Sequence, residues 1–286
     1  MGTKGGRRKS LRSGRPPTSR LLASISRKAS RAAISRHHQL EKRKAQAISS
    51  GDSATAEVLD QEIAAFGGIA RYQQASLQGQ RYDRGGDSSR VLMDWLKPLT
   101  VDPKSRRLRM LEVGALSTSN ACSKSGLFGM ERIDLNSQGE GILQQDFMKR
   151  PPAKTDEERF DIISLSLVLN YVPDHRERGQ MLLKTLDFLR EPETAEGSPL
   201  ESSFPALFLV LPEPCLANSR YLDEKRLEAI MKSLGYEKAQ SKATRRLIYY
   251  LWRRARGMPE FIPDYLKKEI RPGPSRNNFA IVLQTL

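Results

Sequence analysis

Met110-Leu111-Glu112-Val113-Gly114-Ala115, followed by Arg132-Ile133-Asp134-Leu135, decides how the rest of the chain reads. Each is a short apolar run that ends on a special residue, a glycine in the first and a carboxylate in the second. Gly114 and Asp134 stand twenty residues apart, the separation of a Rossmann turn glycine from the acid that holds ribose hydroxyls. A glycine at a strand end lets a ligand approach bare backbone. A carboxylate ending the neighbouring strand accepts two hydroxyl hydrogen bonds. The same pair also fits an ordinary α/β protein with a glycine turn and a surface aspartate.

Outward from this pair, short apolar runs alternate with amphipathic segments. Candidate strands fall at 108–113, 130–135, 160–167, 206–211, 246–252 and 279–283. Between the third and fourth lies a helix with Met181, Leu182, Leu186 and Leu189 on one face. After the fourth comes another, with Leu227, Ile230, Met231 and Leu234 at helical spacing and Gly235 as its stop. Strands alternating with helices mean a Rossmann-like α/β fold, its sheet mostly parallel and wrapped on both faces. Upstream, one helical segment begins near Ile34 and runs through Lys44. A second follows the cap residue Asp52, carries Leu59, Ile63 and Phe66, and stops at Gly67-Gly68. A third follows Asp87-Ser88-Ser89, where Asp87 or Ser88 is the cap, and presents Val91, Leu92, Trp95 and Leu96. Residues 191–203 read as a polar loop.

Charge divides the chain. Residues 1–50 carry fourteen Lys or Arg against the single acid Glu41, while the other 236 residues hold 34 basic and 32 acidic side chains. The expectation is a nearly neutral globule with a disordered basic arm at 1–36, a helical extension at 37–105 and a ligand-binding domain at 106–286. At 38% hydrophobic and 28% charged the chain builds a core, which excludes wholesale disorder. No apolar run approaches the ~20 residues of a membrane-spanning helix, and the positive N-terminus lacks the apolar stretch of a signal peptide. Cys122 and Cys215, with His37, His38 and His175, form no disulfide framework and no metal-site spacing. The expected partners therefore include no membrane and no metal, and the chain is expected to be monomeric.

The full G-x-G-x-x-G is missing, since Gly114 is followed by Ala-Leu-Ser-Thr-Ser-Asn. That argues against a dinucleotide, whose pyrophosphate uses the loop, and fits S-adenosylmethionine, which has no phosphate. Gln144-Gln145-Asp146-Phe147 follows a short apolar stretch, and Asp146 is the candidate for hydrogen bonding an adenine amino group. The strand Phe160-Asp161-Ile162-Ile163-Ser164-Leu165-Ser166 runs into Leu167-Val168-Leu169-Asn170-Tyr171-Val172-Pro173. Asn170 and Tyr171 thus stand where base-modifying methyltransferases place their target-base contacts, unless Tyr171 is simply a core aromatic.

With Tyr72-Gln73-Gln74-Ala75-Ser76-Leu77-Gln78-Gly79-Gln80 and Arg84-Gly85-Gly86-Asp87-Ser88-Ser89 added to these segments, residues 66–283 resemble the fungal 25S ribosomal-RNA adenine-N(1) methyltransferase family. Its animal relatives resemble an S-adenosylmethionine sensor of the TOR pathway. The resemblance implies a class I methyltransferase fold, cofactor contacts at Gly114 and Asp134, and nucleolar action on large-subunit ribosomal RNA or pre-ribosomal particles. The two upstream segments are expected to close over the cofactor or the target nucleotide. Adenine N(1) carries a lone pair in its neutral form, so attack on a sulfonium methyl needs alignment rather than a general base. The base must be unpaired or flipped out, with Tyr171 to stack on it and Asn170 to bond its amino group as the catalytic pair. Glu213 is a further candidate to favour the cationic product. The basic arm favours an RNA enzyme or serves as a nuclear and nucleolar address. The alternative of a different class is an S-adenosylmethionine-binding sensor without methyl transfer.

Overall fold

The computed structural model describes residues 27–68, 73, 86–97, 107–137, 139–192 and 204–284. Seven strands form one sheet in the order β3-β2-β1-β4-β5-β7-β6. They are β1 (Leu108–Val113), β2 (Phe128–Asp134), β3 (Leu143–Gln144), β4 (Ile162–Ser166), β5 (Ala206–Pro212), β6 (Tyr236–Ala243) and β7 (Leu247–Arg254). From β3 to β5 every pairing is parallel; β7 then runs antiparallel to both β5 and β6. The order reverses between β1 and β4, so a topological switch point opens at their carboxyl ends, where doubly wound sheets take their ligands.

Strand β5 shows why the sheet is wrapped on both faces. Ala206, Phe208 and Val210 enter one core cluster, while Leu207, Leu209 and Leu211 enter the other. A period of two with apolar residues on both sides is the pattern of a doubly covered strand. The first face takes Leu92 and Leu96 of α3 (Ser89–Leu96) and Cys122 of α4 (Ala121–Lys124). The second takes Met181 and Leu182 of α5 (His175–Lys184), and Leu227, Ile230 and Met231 of α7 (Glu224–Ser233). Between β5 and α7 lies the short α6 (Pro214–Ala217). Each fully buried Leu or Ile here contributes about 1.5–3 kcal/mol from its removal from water. Trp95 meets Phe208 edge-on, with ring centroids 6.1 Å apart.

Upstream, α1 (Arg27–Ser49) and α2 (Ser53–Ala65) form a helical pair with its own small cluster of Leu40, Ala47, Ala56, Leu59 and Ile63. Asp52 caps α2 by accepting from the Thr55 amide at 3.0 Å, and Gly67, at φ +99°, follows its end. The helix α1 starts at Arg27 rather than near Ile34, so 27–36 is helix and not arm; Ala33 and Ser30 are already buried. Residues 1–26 lie outside the described residues.

Three further expectations change. The stretch 279–283 is not a strand, although Phe279 to Leu283 are all buried. Its backbone is satisfied elsewhere: Arg178 donates to the Ala280 carbonyl, the Ser219 hydroxyl donates to that of Phe279, and the Val282 amide donates to His175 O at 2.8 Å. It lies directly on α5, where a Cβ at Gly179 would fall 1.9 Å from Val282 O. Two strands had no apolar pattern to announce them. In β6 only Tyr236 is buried, and β3 is a two-residue exposed piece; neither carries an apolar alternation.

Among the described residues no helix is long and apolar enough to cross a membrane, and no group of three or more His, Cys, Asp or Glu could hold a metal ion. Both cysteines are free and buried, and burial pushes their thiols up to about 12, so neither offers a thiolate nucleophile.

Candidate active site

At the end of β1 the chain turns at Gly114 with φ +72°, a conformation that L side chains rarely adopt. A Cβ there would stand 2.9 Å from the Val168 side chain. The turn opens a small cavity lined by Asp87, Ser88, Glu112, Gly114, Asn120 and Ser166. Its walls are stitched by hydrogen bonds. Asp87 accepts from the Ser89 amide at 2.9 Å and from the Ala121 amide at 2.5 Å, joining the start of α3 to that of α4. Ser88 occupies the N-cap position of α3 but makes no side-chain cap bond there; Asp87 supplies the acceptor at the helix start, while the Ser88 hydroxyl meets Ser166 at the end of β4, 2.8 Å away.

Glu112 is a functional candidate that its sequence position does not single out. Asn120 donates to its Oε1 at 2.7 Å, but Oε2 is buried with no hydrogen-bond partner among the described residues. Arg132 Nε stands 4.0 Å from it, too far for a hydrogen bond, and the Arg132 guanidinium bonds Ser123 instead. Burial pushes the carboxyl up to about 7, against the pull of the Asn120 hydrogen bond and the Arg132 charge. A lone buried carboxylate oxygen in a cavity fits a cationic group on a ligand, and the methionine ammonium of S-adenosylmethionine is such a group.

That burial makes a prediction. Unfolded, Glu112 titrates near 4.5; folded, near 7. Between those values the folded chain keeps a proton that the unfolded chain releases, so stability falls as pH rises through the window. The full loss above pH 7 is about 3 kcal/mol, because each tenfold difference in proton affinity is worth ~1.4 kcal/mol. Glu112→Gln removes the charge and its cost. Without ligand, the variant should gain melting temperature over the native protein at pH 8 but not at pH 4.5. Melting curves that move equally at both would show that Glu112 is not the buried acid described.

Asp134 ends β2 on the same sheet edge. Its Oδ1 accepts from the Asn136 amide at 2.8 Å and from Gln73 Nε2 at 2.8 Å. No hydrogen bond reaches Oδ2 among the described residues. Burial raises the carboxyl from its ordinary value, opposed by these two donors. Gln73 is itself 6% exposed and also bonds the Asn136 carbonyl at 2.9 Å. Within the YQQASLQGQ segment it is the residue described; 72, 74–80 and, in the next motif, 84–85 lie outside the described residues. Asp146 is half-buried and caps a 3-10 turn by accepting from the Met148 amide at 2.9 Å. Gln145, beside it, donates its amide to the Asp134 carbonyl at 2.9 Å.

Beyond β4 the backbone is strained. Leu167 has φ +60° although it is not glycine, held there by its amide bond to Val210 O at 2.9 Å. Such outliers cost about 1–3 kcal/mol and gather at functional sites. The next turn carries Asn170 and Tyr171, both half-buried. Asn170 Oδ1 is buried with no hydrogen-bond partner among the described residues, a second lone acceptor on this edge. Glu213 follows β5 at the start of α6, its amide bonded to Arg246 O at 2.8 Å and its side chain making no cap hydrogen bond.

A sheet of this order, with a glycine turn after β1 and a carboxylate ending β2 at the switch point, defines a class I methyltransferase dependent on S-adenosylmethionine. Residues 57–281 match the family described as 25S rRNA (adenine(2142)-N(1))-methyltransferase, Bmt2, and the chain belongs to that family. It is 40% identical over 255 residues to the 25S rRNA adenine-N(1) methyltransferase of Schizosaccharomyces pombe, covering 87% of this chain and 89% of that one. With the 25S rRNA (adenine(2142)-N(1))-methyltransferase of Saccharomyces cerevisiae it shares 36% over 225 residues, 78% of this chain and 62% of the relative's length. A looser likeness is to the solved N-methyltransferase NodS of Bradyrhizobium japonicum WM9 in complex with S-adenosyl-L-homocysteine. There the TM-score is 0.40 and the identity 11%, over 60% of this chain and 90% of that one.

Proposed function

We propose that the protein methylates N(1) of an adenine in large-subunit ribosomal RNA, as its family name describes, using the edge formed by the carboxyl ends of β1, β2 and β4. The observation that carries this reading is the pair of lone buried acceptors on one edge, Glu112 Oε2 and Asn170 Oδ1. One suits a cofactor cation; the other suits the amino group of a base. S-adenosylmethionine supplies, when bound, a methyl group on a sulfonium sulfur. Glu112 attracts the ammonium end of that molecule, Asp134 accepts from its ribose through Oδ2, and Asp146 faces its base. Gly114 keeps the space between them open. Asn170 accepts from the adenine N6 amino group and Tyr171 stacks on the ring, so that N(1) is presented without a proton having to be removed. Gln73 positions Asp134 by occupying Oδ1, and Asp87 and Ser88 hold the edge closed beside β4. The direct test is transfer of labelled methyl to an unpaired adenine in a ribosomal RNA fragment, with the product mapped as N(1)-methyladenine. Cofactor binding without transfer would make the protein a sensor instead.

The basic N-terminus supports action on pre-ribosomal RNA in the nucleolus. Because α1 begins at Arg27, the deletion that leaves the helix whole removes 1–26, and with it Lys4, Arg7, Arg8, Lys9, Arg12, Arg15 and Arg20. Cofactor affinity should be unchanged. RNA affinity should fall and its salt dependence flatten, by about 0.7 in log–log slope for each single-strand phosphate the arm no longer neutralises. Nucleolar enrichment should weaken as well. A truncated protein with the native slope would leave the arm as an address alone.

A further inference from the structure

Ten consecutive residues, 237–246, are all exposed. They comprise nearly all of β6 and the turn into β7, and they hold Lys238, Lys242, Arg245 and Arg246 against the single acid Glu237. Some of this charge is used locally. Lys238 pairs with Glu224 and Glu228, and Glu237 pairs with Arg253 at 2.7 Å. Lys242 and Arg245 make no ion pair among the described residues.

Topology sets where these two cations stand. Both β5 and β6 run antiparallel to β7, so they point the same way, and the end of β6 lies on the edge that holds Gly114, Ser166 and Glu213. The Glu213 amide bonds Arg246 O at 2.8 Å, which ties the turn to the residue following β5. The turn is also well built. Thr244 N donates to Leu247 O at 2.8 Å, and the Thr244 hydroxyl accepts from the Leu247 amide at 3.0 Å. Arg245 is therefore presented on a short, internally braced loop. Asp94 of α3 lies within electrostatic range of Lys242 and of Arg90; its carboxyl is held below the ordinary value by Lys97 first, then also by these two. Across the sheet, β6 is three strands from β4, or about 14 Å at the usual strand spacing.

We propose that the β6–β7 turn, through Lys242 and Arg245, is a docking surface for the phosphates of the ribosomal RNA strand that flanks the target adenine. The proposal rests on the methyltransferase reading above. Within 237–246 the apolar residues are Ala239 and Ala243, so the surface lacks the aromatic anchors of a protein interface. Long exposed cations without such anchors suit phosphate contacts, which set register rather than sequence. A base held at the end of β4 brings its neighbouring nucleotides within reach of the turn. The competing explanation is that lysines on an open edge strand guard against sheet-to-sheet association.

The test is Lys242→Ala/Arg245→Ala in the full chain, with a ribosomal RNA fragment as the probe. Both side chains are exposed, and calorimetry with S-adenosylmethionine serves as the check on folding and should give the native affinity. RNA affinity should fall roughly tenfold near 0.1 M salt, with the log–log salt slope flattened by about 1.4 once two single-strand phosphates go without a cation. The RNA KM should rise while kcat stays within about twofold of native. A variant with native RNA affinity and slope overturns the proposal and leaves the charges as edge protection. A native protein that methylates no ribosomal RNA fragment overturns the underlying reading instead, so the two failures are distinct.

Discussion

Replacing Gly114 with arginine is expected to abolish S-adenosylmethionine binding, with no heat detectable by calorimetry at concentrations that saturate the native protein. Three costs combine. The backbone at φ +72° is strained for any L side chain, at about 1–3 kcal/mol. The new Cβ meets Val168 at 2.9 Å. Beyond Cβ, the side chain fills the cavity between Glu112 and Ser166, and its guanidinium can reach the lone Glu112 oxygen and take the place of the cofactor ammonium. A native circular dichroism spectrum of the variant separates loss of binding from loss of structure. Gly114→Ala should be milder, because a valine methyl can give way. Asp134→Ala falls between them. It removes a charge-assisted hydrogen bond worth about 1.5–3 kcal/mol, or roughly ten- to hundredfold in affinity. An arginine variant that binds within about threefold of native would remove the site from this edge.

Asn170→Ala should leave cofactor affinity at the native value and lower the rate of methyl transfer about a hundredfold. Alignment is the main source of acceleration when the nucleophile needs no deprotonation, and small misplacements carry costs of that order. The alanine takes away the acceptor for the adenine amino group but also relieves a buried oxygen with no partner. The variant is therefore expected to be at least as stable as the native protein. This opposition of stability and rate marks a residue kept for its substrate. Tyr171→Ala should slow transfer too, chiefly by raising the RNA KM through the missing stacking. Single-turnover transfer to an unpaired adenine separates the two effects. Native rates in both variants would move the target base elsewhere on the edge.

Much of the fold was legible because its signals are local. Strands β1, β4 and β5 announce themselves as apolar runs, and α5 and α7 by the spacing of Met181 and Leu182 and of Leu227, Ile230 and Met231. Asp52 and Gly235 mark helix ends because side-chain caps and positive φ are properties of single residues. The pairing of Gly114 with Asp134 was legible for the same reason: each ends a strand, and adjacent parallel strands bring such ends together. What escaped depended on packing. An exposed edge strand such as β6 has no buried face to impose alternation, and its pairing with β7 is a matter of backbone hydrogen bonds. Periodicity cannot tell a buried strand from a buried extended segment, so 279–283 reads as sheet although Gly179 seats it on a helix. The lone oxygens of Glu112 and Asn170 are defined by which donors fail to arrive, and no string of letters records that. Gln73 reaches Asp134 across sixty-one residues of chain. Sequence by itself determined the alternation of strands and helices and the glycine and acid that end two of the strands; tertiary structure alone decided the strand order with its switch point and which polar atoms at that edge stay unpaired, because pairing and hydrogen-bond satisfaction depend on neighbours brought in from distant parts of the chain.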